Sequence, residues 1–405
     1  MNIDRRAISR LAVRCATWGC CVSALACGGA DVDPSLVTQR DSAGVQIVEA
    51  FRPAWGDSSR WTVDPEPILD LTRSGTGESH EFFRVGAMTR LSDGRVVVSG
   101  QQEIRLYAAA GEFLGSFGRE GEGPGEFRQI WGMERVSGDT LLLLDYDERI
   151  TVVTPDLTLS RTFSLPLLTD AIYDLGGGTL LVELGYGSMT TYEGTGGLRR
   201  EPWPLWRFDL HGTRIDSIGE SEGFEELMIT RGESLLSTLP FFARVSQVAT
   251  RGGTILRGSA DAMEVEELAA TGELIRIIRL PDYPLELTPD EIDAARESLG
   301  ENPGSVAIQM FEAMSGMRPA YADIMVDPSG AIWLERYRGR HERESPQSWL
   351  VLDHDGTWLG QLVMPAGFNL HEVQMDALLG VRIDALDVEH PQVLRLRRNR
   401  APAAG

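Results

Sequence analysis

Arg336, Arg338, Arg340 and Arg343 crowd one short stretch together with Tyr337 and His341. Guanidinium groups beside aromatic rings grip a carboxylate or sulfate through paired hydrogen bonds. With 60 acidic residues in the chain, salt bridges to neighbours compete for the same arginines. Asp145-Tyr146-Asp147-Glu148-Arg149 offers oxygen ligands of the kind calcium takes, although a solvated hairpin tip has the same composition. Asp353-His354-Asp355-Gly356 opens like a calcium loop but lacks the later ligands and the closing Glu, so it reads as a turn. The histidines are His80, His211, His341, His354, His371 and His390; no two are spaced as ligands on one element, and no zinc site is expected. No nucleophile elbow, metalloprotease helix or paired-carboxylate motif is present.

The chain has 405 residues, 38 basic and 60 acidic, for a net charge of −22. It contains no Lys, so every basic side chain is Arg, which excludes lysine Schiff-base chemistry and a Walker-type phosphate clamp. The acidic balance argues against nucleic acid as a partner. A hydrophobic fraction of 42% is enough for a packed core and rules out a disordered chain.

Cys15, Cys20, Cys21 and Cys27 are the only cysteines, so no disulfide framework holds the body. Arg5, Arg6, Arg10 and Arg14 precede an uncharged stretch of 12 residues, Cys15 to Ala26, short of the roughly 20 that span a bilayer. This is the layout of a signal peptide, residues 1–26. The run Ala24-Leu25-Ala26-Cys27-Gly28 resembles a bacterial lipobox, departing from it at Ala24, where Leu is preferred. The resemblance implies cleavage before Cys27, acylation of that residue, and a tether over 27–42 holding the following domain to a membrane. Gly28 in place of an Asp points to the outer membrane of the cell envelope. Arg5-Arg6 matches a twin-arginine signal poorly, and the export route stays open.

A short phrase, a turn ending in Gly and then a β-rich strand, recurs through the body. It appears at Gly94 before Val96-Val97-Val98, Gly138 before Leu141 to Leu144, Gly178 before Leu180-Leu181-Val182, Gly253 before Ile255-Leu256, and Gly330 before Ile332-Trp333-Leu334. Each copy is followed by a second turn and strand, at Gly111, Asp156, Gly212, Gly272 and Gly356. Four short strands per unit, at roughly 40 residues or more, is the pattern of a β-propeller. A sixth unit is expected from both ends of the domain: Trp61 to Leu71 as the outer strand, with Val381-Arg382-Ile383 and Val393 to Leu396 inside it. Such a closure covers a sheet edge. The expected fold is all-β, a six-bladed propeller of four-stranded antiparallel blades over 43–398, with a flexible basic tail at 399–405. Thr288 as N-cap, Pro289 and Glu291 mark a capping box, and the apolar spacing after it predicts a small helical insertion around 288–315.

Phe117-Gly118-Arg119-Glu120-Gly121-Glu122-Gly123-Pro124-Gly125-Glu126-Phe127 resembles the linker between blades of NHL-repeat proteins, and the body is similar to bacterial six-bladed propeller lipoproteins. That resemblance speaks to fold, because related propellers include enzymes, adhesion modules and proteins without a known role.

Within such a blade, the turns between strands one and two and between three and four lie at one end, and here they are short. The loops between strands two and three and the links to the next blade lie at the other end. They are long: Gly118 to Ile130, Gly185 to Pro202, Gly219 to Pro240, Pro281 to Pro319 and Arg338 to Ser348. Binding surfaces are usually built on extended loops held by a rigid scaffold. Arg84, Trp131, Tyr146, Arg244, Tyr321, Arg338 and His341 are the expected ligand-binding rim of that face. The function expected is an exported, membrane-anchored lipoprotein that binds or scaffolds a protein, peptide or glycan, without a resident cofactor. The alternative is a hydrolase or lyase using channel carboxylates, with calcium as an option, on a sugar or lactone-like substrate.

Overall fold

The computed structural model describes residues 36–166, 168–185, 196–232, 234–339, 342 and 345–398. Cys27, Arg340, His341, Arg343, the signal segment and the 399–405 tail lie outside the described residues.

Short strands dominate because apolar and β-branched residues recur between turn residues that break the chain. A hairpin, β1 (Val37–Ser42) and β2 (Val45–Ala50), opens the chain, and β3 (Trp61–Val63) and β4 (Leu69–Asp70) follow. The first four-stranded sheet holds β5 (Ala87–Arg90), β6 (Val96–Ser99), β7 (Ile104–Tyr107) and β8 (Phe113–Phe117). The second holds β9 (Ile130–Val136), β10 (Thr140–Asp145), β11 (Arg149–Val153) and β12 (Leu159–Ser164). In the third, β13 (Thr169–Gly176) and β14 (Thr179–Leu184) are separated in sequence by β15 (Gly197–Arg200) from β16 (Trp203–Asp209) and β17 (Arg214–Ser221). β15 pairs instead with β18 (Glu225–Arg231), which also pairs with β19 (Ser234–Thr238), a three-stranded sheet of inserted segments.

The fourth sheet is β20 (Gln247–Arg251), β21 (Thr254–Gly258), β22 (Glu264–Ala269) and β23 (Leu274–Arg279). β2 adds to β23 in parallel, and β1 adds outside β2, giving six strands. Helices α1 (Pro289–Glu297) and α2 (Ser305–Glu312) precede the fifth sheet, β24 (Ile324–Val326), β25 (Ile332–Glu335), β26 (Ser348–Leu352) and β27 (Trp358–Val363). The sixth joins β28 (Phe368–Val373), β29 (Ala377–Ile383) and β30 (Glu389–Arg398), with β3 and β4 both pairing to β30. The sequence assigned this outer position to Trp61–Leu71, and the pairing places it there.

The all-β expectation stands, as several four-stranded antiparallel sheets with two helices among the described residues; no sheet closes on itself. Apolar cores form between successive sheets. Leu106, Ile130 and Leu143 join the first to the second, and Leu142, Ile172 and Leu180 the second to the third. Leu181, Leu205 and Ile255 join the third to the fourth, and Leu256, Ile278 and Leu350 the fourth to the fifth. Trp333, Trp349 and Leu378 join the fifth to the sixth. Met88, Val98, Leu379 and Val393 then join the sixth back to the first. The first strands touch in the same cyclic order, β5, β9, β13, β20, β24, β28 and β5 again.

The repeated turns work as their sequence indicates. Gly330 and Gly356 have φ of 85° and 86°, a left-handed conformation that favours glycine. In the second of these turns Asp353 Oδ1 accepts from the amides of Asp355 at 3.0 Å and Thr357 at 2.8 Å, so the calcium-like run is a side-chain-closed turn.

One expectation changes and one stands. Val37–Ser42, read from sequence as the end of the tether, is strand β1; every residue after Val37 is polar and exposed, which hides its strand character. The helical insertion is present, with Thr288 and Glu291 forming the reciprocal capping box on α1. Its apolar faces pack on the inserted β-sheet, where Ala295 and Met310 meet Leu227, Ile229, Phe241 and Phe242.

Candidate functional site: an aromatic rim and a central polar cavity

Strand order fixes which residues share an end. Chain segments 118–129, 185–202, 222–246, 280–323 and 336–347 all join a second strand to a third or a fourth strand to the next sheet, so the elaboration lies at one end of the antiparallel sheets.

At that loop end, the first and second sheets bring together part of the expected rim. Phe83 and Arg84 lead into β5, Trp131 is the second residue of β9, and Tyr146 sits between β10 and β11. Phe83 is 75% exposed, Tyr146 57% and Trp131 50%. The Trp131 and Tyr146 rings meet edge to face at 6.4 Å, and Trp131 Nε1 donates to the Asp170 carbonyl at 3.0 Å. The Arg128 guanidinium lies 5.5 Å from the Tyr146 ring and donates to Asp147 at 2.8 Å. Arg84, at φ 54°, rests 5.0 Å from the Phe83 ring and donates to Gln101 at 3.4 Å. Phe83 and Gln101 also line an adjoining pocket of about 340 Å³ with Phe82, Arg105 and Arg119. Large exposed rings carry an energetic cost that a bound partner removes.

The other expected rim residues are committed elsewhere. Arg244 pairs with Glu225 and, at 2.8 Å, with Asp261, and Arg200 reaches the same Asp261 at 2.9 Å. Tyr321 is in the core, 1% exposed, its hydroxyl donating to the Glu264 carbonyl at 2.8 Å; a side chain at Gly258 would overlap that hydroxyl. Arg338 donates to Glu335 at 3.2 Å and to the Ser345 carbonyl at 2.9 Å, and Arg336 pairs with Glu342 at 3.2 Å. Arg244, Tyr321 and Arg338 therefore hold the loop end together and do not join the aromatic patch. Asp145, 1% exposed, is structural as well: it accepts from the amides of Gln129 at 3.0 Å and Tyr146 at 2.9 Å and from Arg149 at 2.7 Å.

The second site is the central channel, whose individual carboxylates the sequence does not single out. A cavity of about 610 Å³ is lined by the first strand of each four-stranded sheet, through Thr89, Glu134, Arg135, Asp174, Thr250, Val326, His371 and Glu372 among others. Most of these residues lie toward the carboxyl ends of their strands, near the short turns, whereas the sequence reading looked at strand beginnings. The only signal was a charged pair, Glu134-Arg135, inside an otherwise strand-like run. Glu134 Oε1 accepts from the Asp174 amide at 3.0 Å. Arg135 donates to Thr89 Oγ1 at 3.2 Å and lies 3.6 Å from Glu372, which also accepts from Gln374 at 2.8 Å.

Burial pushes Glu134 up to about 7, and the charges of Asp174 and Glu372 add to this against the Asp174 amide and Arg135. Burial likewise holds His371 down to about 4, keeping the imidazole neutral at physiological pH. A related group sits nearer the loop end. Glu183, raised by burial to about 7, accepts from Tyr173 at 3.1 Å and Ser221 at 2.6 Å, and burial also raises Asp323 to about 7. Among the described residues no three His, Cys, Asp or Glu side chains converge as a metal-binding group. No described helix is long and apolar enough to cross a membrane.

No family model matches the chain, and no curated protein matches it. Solved structures do resemble it. A candidate exported protein from Bacteroides fragilis is 12% identical over 87% of this chain and 99% of its own, with a TM-score of 0.53. A member of the DUF4221 family from Bacteroides vulgatus is 10% identical over 83% and 98%, with a TM-score of 0.48. At such identity the first likeness shows the β-rich fold alone.

Proposed function

We propose that the protein is an exported binding module: a six-bladed β-propeller, lipid-anchored through Cys27 in the cell envelope, that takes a protein, peptide or glycan on its loop end. The cyclic packing of six sheets, the last built from both ends of the domain, supports the propeller. The lipobox-like run supports the anchor, and the description of the Bacteroides fragilis neighbour as a candidate exported protein agrees with export.

The observation that carries the binding role is the exposed Trp131–Tyr146 pair with Arg128 against it, on the same end as Phe83, Arg84 and their pocket. Flat rings stack on the apolar face of a sugar or on peptide side chains, and arginines orient polar groups next to them. The test is an oligosaccharide array and a peptide array, followed by titration of the hits with tryptophan fluorescence. Trp131→Ala is expected to weaken binding about tenfold or more, in the range of a central aromatic anchor, while Met375→Ala, exposed at the opposite end of the sheets, leaves it unchanged. Blank arrays, or a hit indifferent to Trp131, would sink this reading.

The hydrolase or lyase reading is kept for one observation: Glu134, held up to about 7 beside Glu372, is the kind of carboxyl that delivers a proton near neutral pH. Turnover of lactone or glycoside substrates that disappears in Glu134→Gln would favour it. Calcium, retained through dialysis and measured by elemental analysis, would add the metal-dependent form.

A further inference from the structure

The direction of β1 says where the tether leaves the domain. β23 runs from the β22–β23 turn toward segment 280–323, so it ends at the loop end. β2 is parallel to β23, and β1 is antiparallel to β2 with Val37 opposite Ala50. Val37 therefore stands at the loop end, and the amide of Phe51 donates to the Leu36 carbonyl beside it at 2.9 Å. Between Cys27 and Val37 lie nine residues, Gly28 to Leu36, whose full extension is about 30 Å. The proposed anchor at Cys27 would therefore be joined to the domain at its loop end by a span of at most about 30 Å.

That end also carries the most exposed apolar side chains. Leu386, at the tip between β29 and β30, is 83% exposed and Phe83 75%. Leu198, Leu235, Leu236 and Leu239 add to them on the inserted sheet and the segment after it. The Leu386 tip is held firmly: Asp384 Oδ1 accepts from the amides of Leu386 at 2.8 Å and Val388 at 3.0 Å, and Asp384 Oδ2 meets His390 Nε2 at 3.1 Å. His390 Nδ1 is 2.8 Å from Thr72 Oγ1. A hairpin braced in this way presents a leucine to its surroundings instead of folding it inward. The neighbouring first sheet is tied to the same hairpin, since the Val85 amide donates to Glu389 at 2.8 Å.

We propose that the loop end docks on the membrane surface, with Leu386 and Phe83 entering the interfacial region of a zwitterionic bilayer and Arg84 reaching the phosphates. A net charge of −22 disfavours an anionic surface, whereas apolar tips with arginine beside them suit the boundary of headgroups and acyl chains. This rests on the lipid anchor at Cys27 and narrows the proposed function, because a ligand of the aromatic patch would then be met in the plane of the membrane.

The experiment uses the acylated protein reconstituted on phosphatidylcholine vesicles, with an environment-sensitive fluorophore on Leu386→Cys, on Phe83→Cys, or on Met375→Cys. Met375 lies in the short turn between β28 and β29 at the opposite end and is 52% exposed. Brominated lipid is expected to quench the 386 and 83 labels at least threefold more than the 375 label. Equal quenching at the two ends, or stronger quenching at 375, overturns the docking while flotation with vesicles still upholds the anchor. Failure of the protein with Cys27 intact to float overturns the anchor and the docking together.

Discussion

Carboxylates are treated in opposite ways at the loop end and in the central cavity. In the loop segments several are matched with arginine, Asp145 with Arg149 and Asp261 with Arg200 and Arg244, while Glu183 and Asp323 on the strands below are raised by burial as in the cavity. In the cavity Arg135 pairs with Asp139 at 3.3 Å and lies 3.6 Å from Glu372, and burial raises Glu134 instead of pairing it. A chain with 38 arginines and 60 acids cannot neutralise every carboxylate by pairing. Here arginine is spent where long segments must be held in place, and protonation serves where strands already fix the geometry.

Removing a carboxylate should therefore have opposite signs in the two regions. The largest effect is expected from Asp145→Ala, which strips two amides and Arg149 of their acceptor in a buried site; loss of one partner from such a site costs about 3 kcal/mol or more. Urea unfolding would report it, and a loss below about 1 kcal/mol would erase the contrast. Glu134→Gln should instead stabilise the protein by about 3 kcal/mol well above pH 7, the order set by a shift of this size. The sign follows from linkage. A carboxyl raised to about 7 in the fold, against its usual value near 4.5 when unfolded, ionises first in the unfolded chain. Stability is then full below about pH 4.5, declines as pH rises toward 7, and is flat beyond. The variant should flatten that decline, and an unchanged urea midpoint against pH would refute it. The smallest effect sharpens the comparison from the loop side. Thr288→Ala removes the capping box of α1 at about 1 kcal/mol, and hydrogen exchange should quicken in 289–297 while β9 and β13 stay protected.

Much of the fold was legible because its signals are local. Each Asp-to-Gly turn and each apolar strand is written within a few residues, and the pairing of Trp61–Leu71 with the last strands followed from counting units. The capping box at Thr288 was equally local. β1 escaped because its polar face hides it and its support, through β2, comes from a strand more than 200 residues away. In the candidate site, the positions of Arg84, Trp131 and Tyr146 at the loop end are legible because strand starts there are readable from turn positions. Arg244, Tyr321 and Arg338 were misplaced because a sequence does not state which acid or carbonyl a side chain meets. Glu134 and Glu372 have no such local mark: they come from separate sheets and share a cavity only after the sheets have packed.

The sixth sheet has a consequence for timing. Its outer strands β3 and β4 are among the first to be synthesised, and β28 to β30 are the last. Residues such as Trp61 and Leu69 must wait, unpaired, until nearly the whole chain has emerged, which makes a slow, long-range closing step. Until β30 is made, the sixth sheet has no inner partner for β3 and β4, so its two halves meet last.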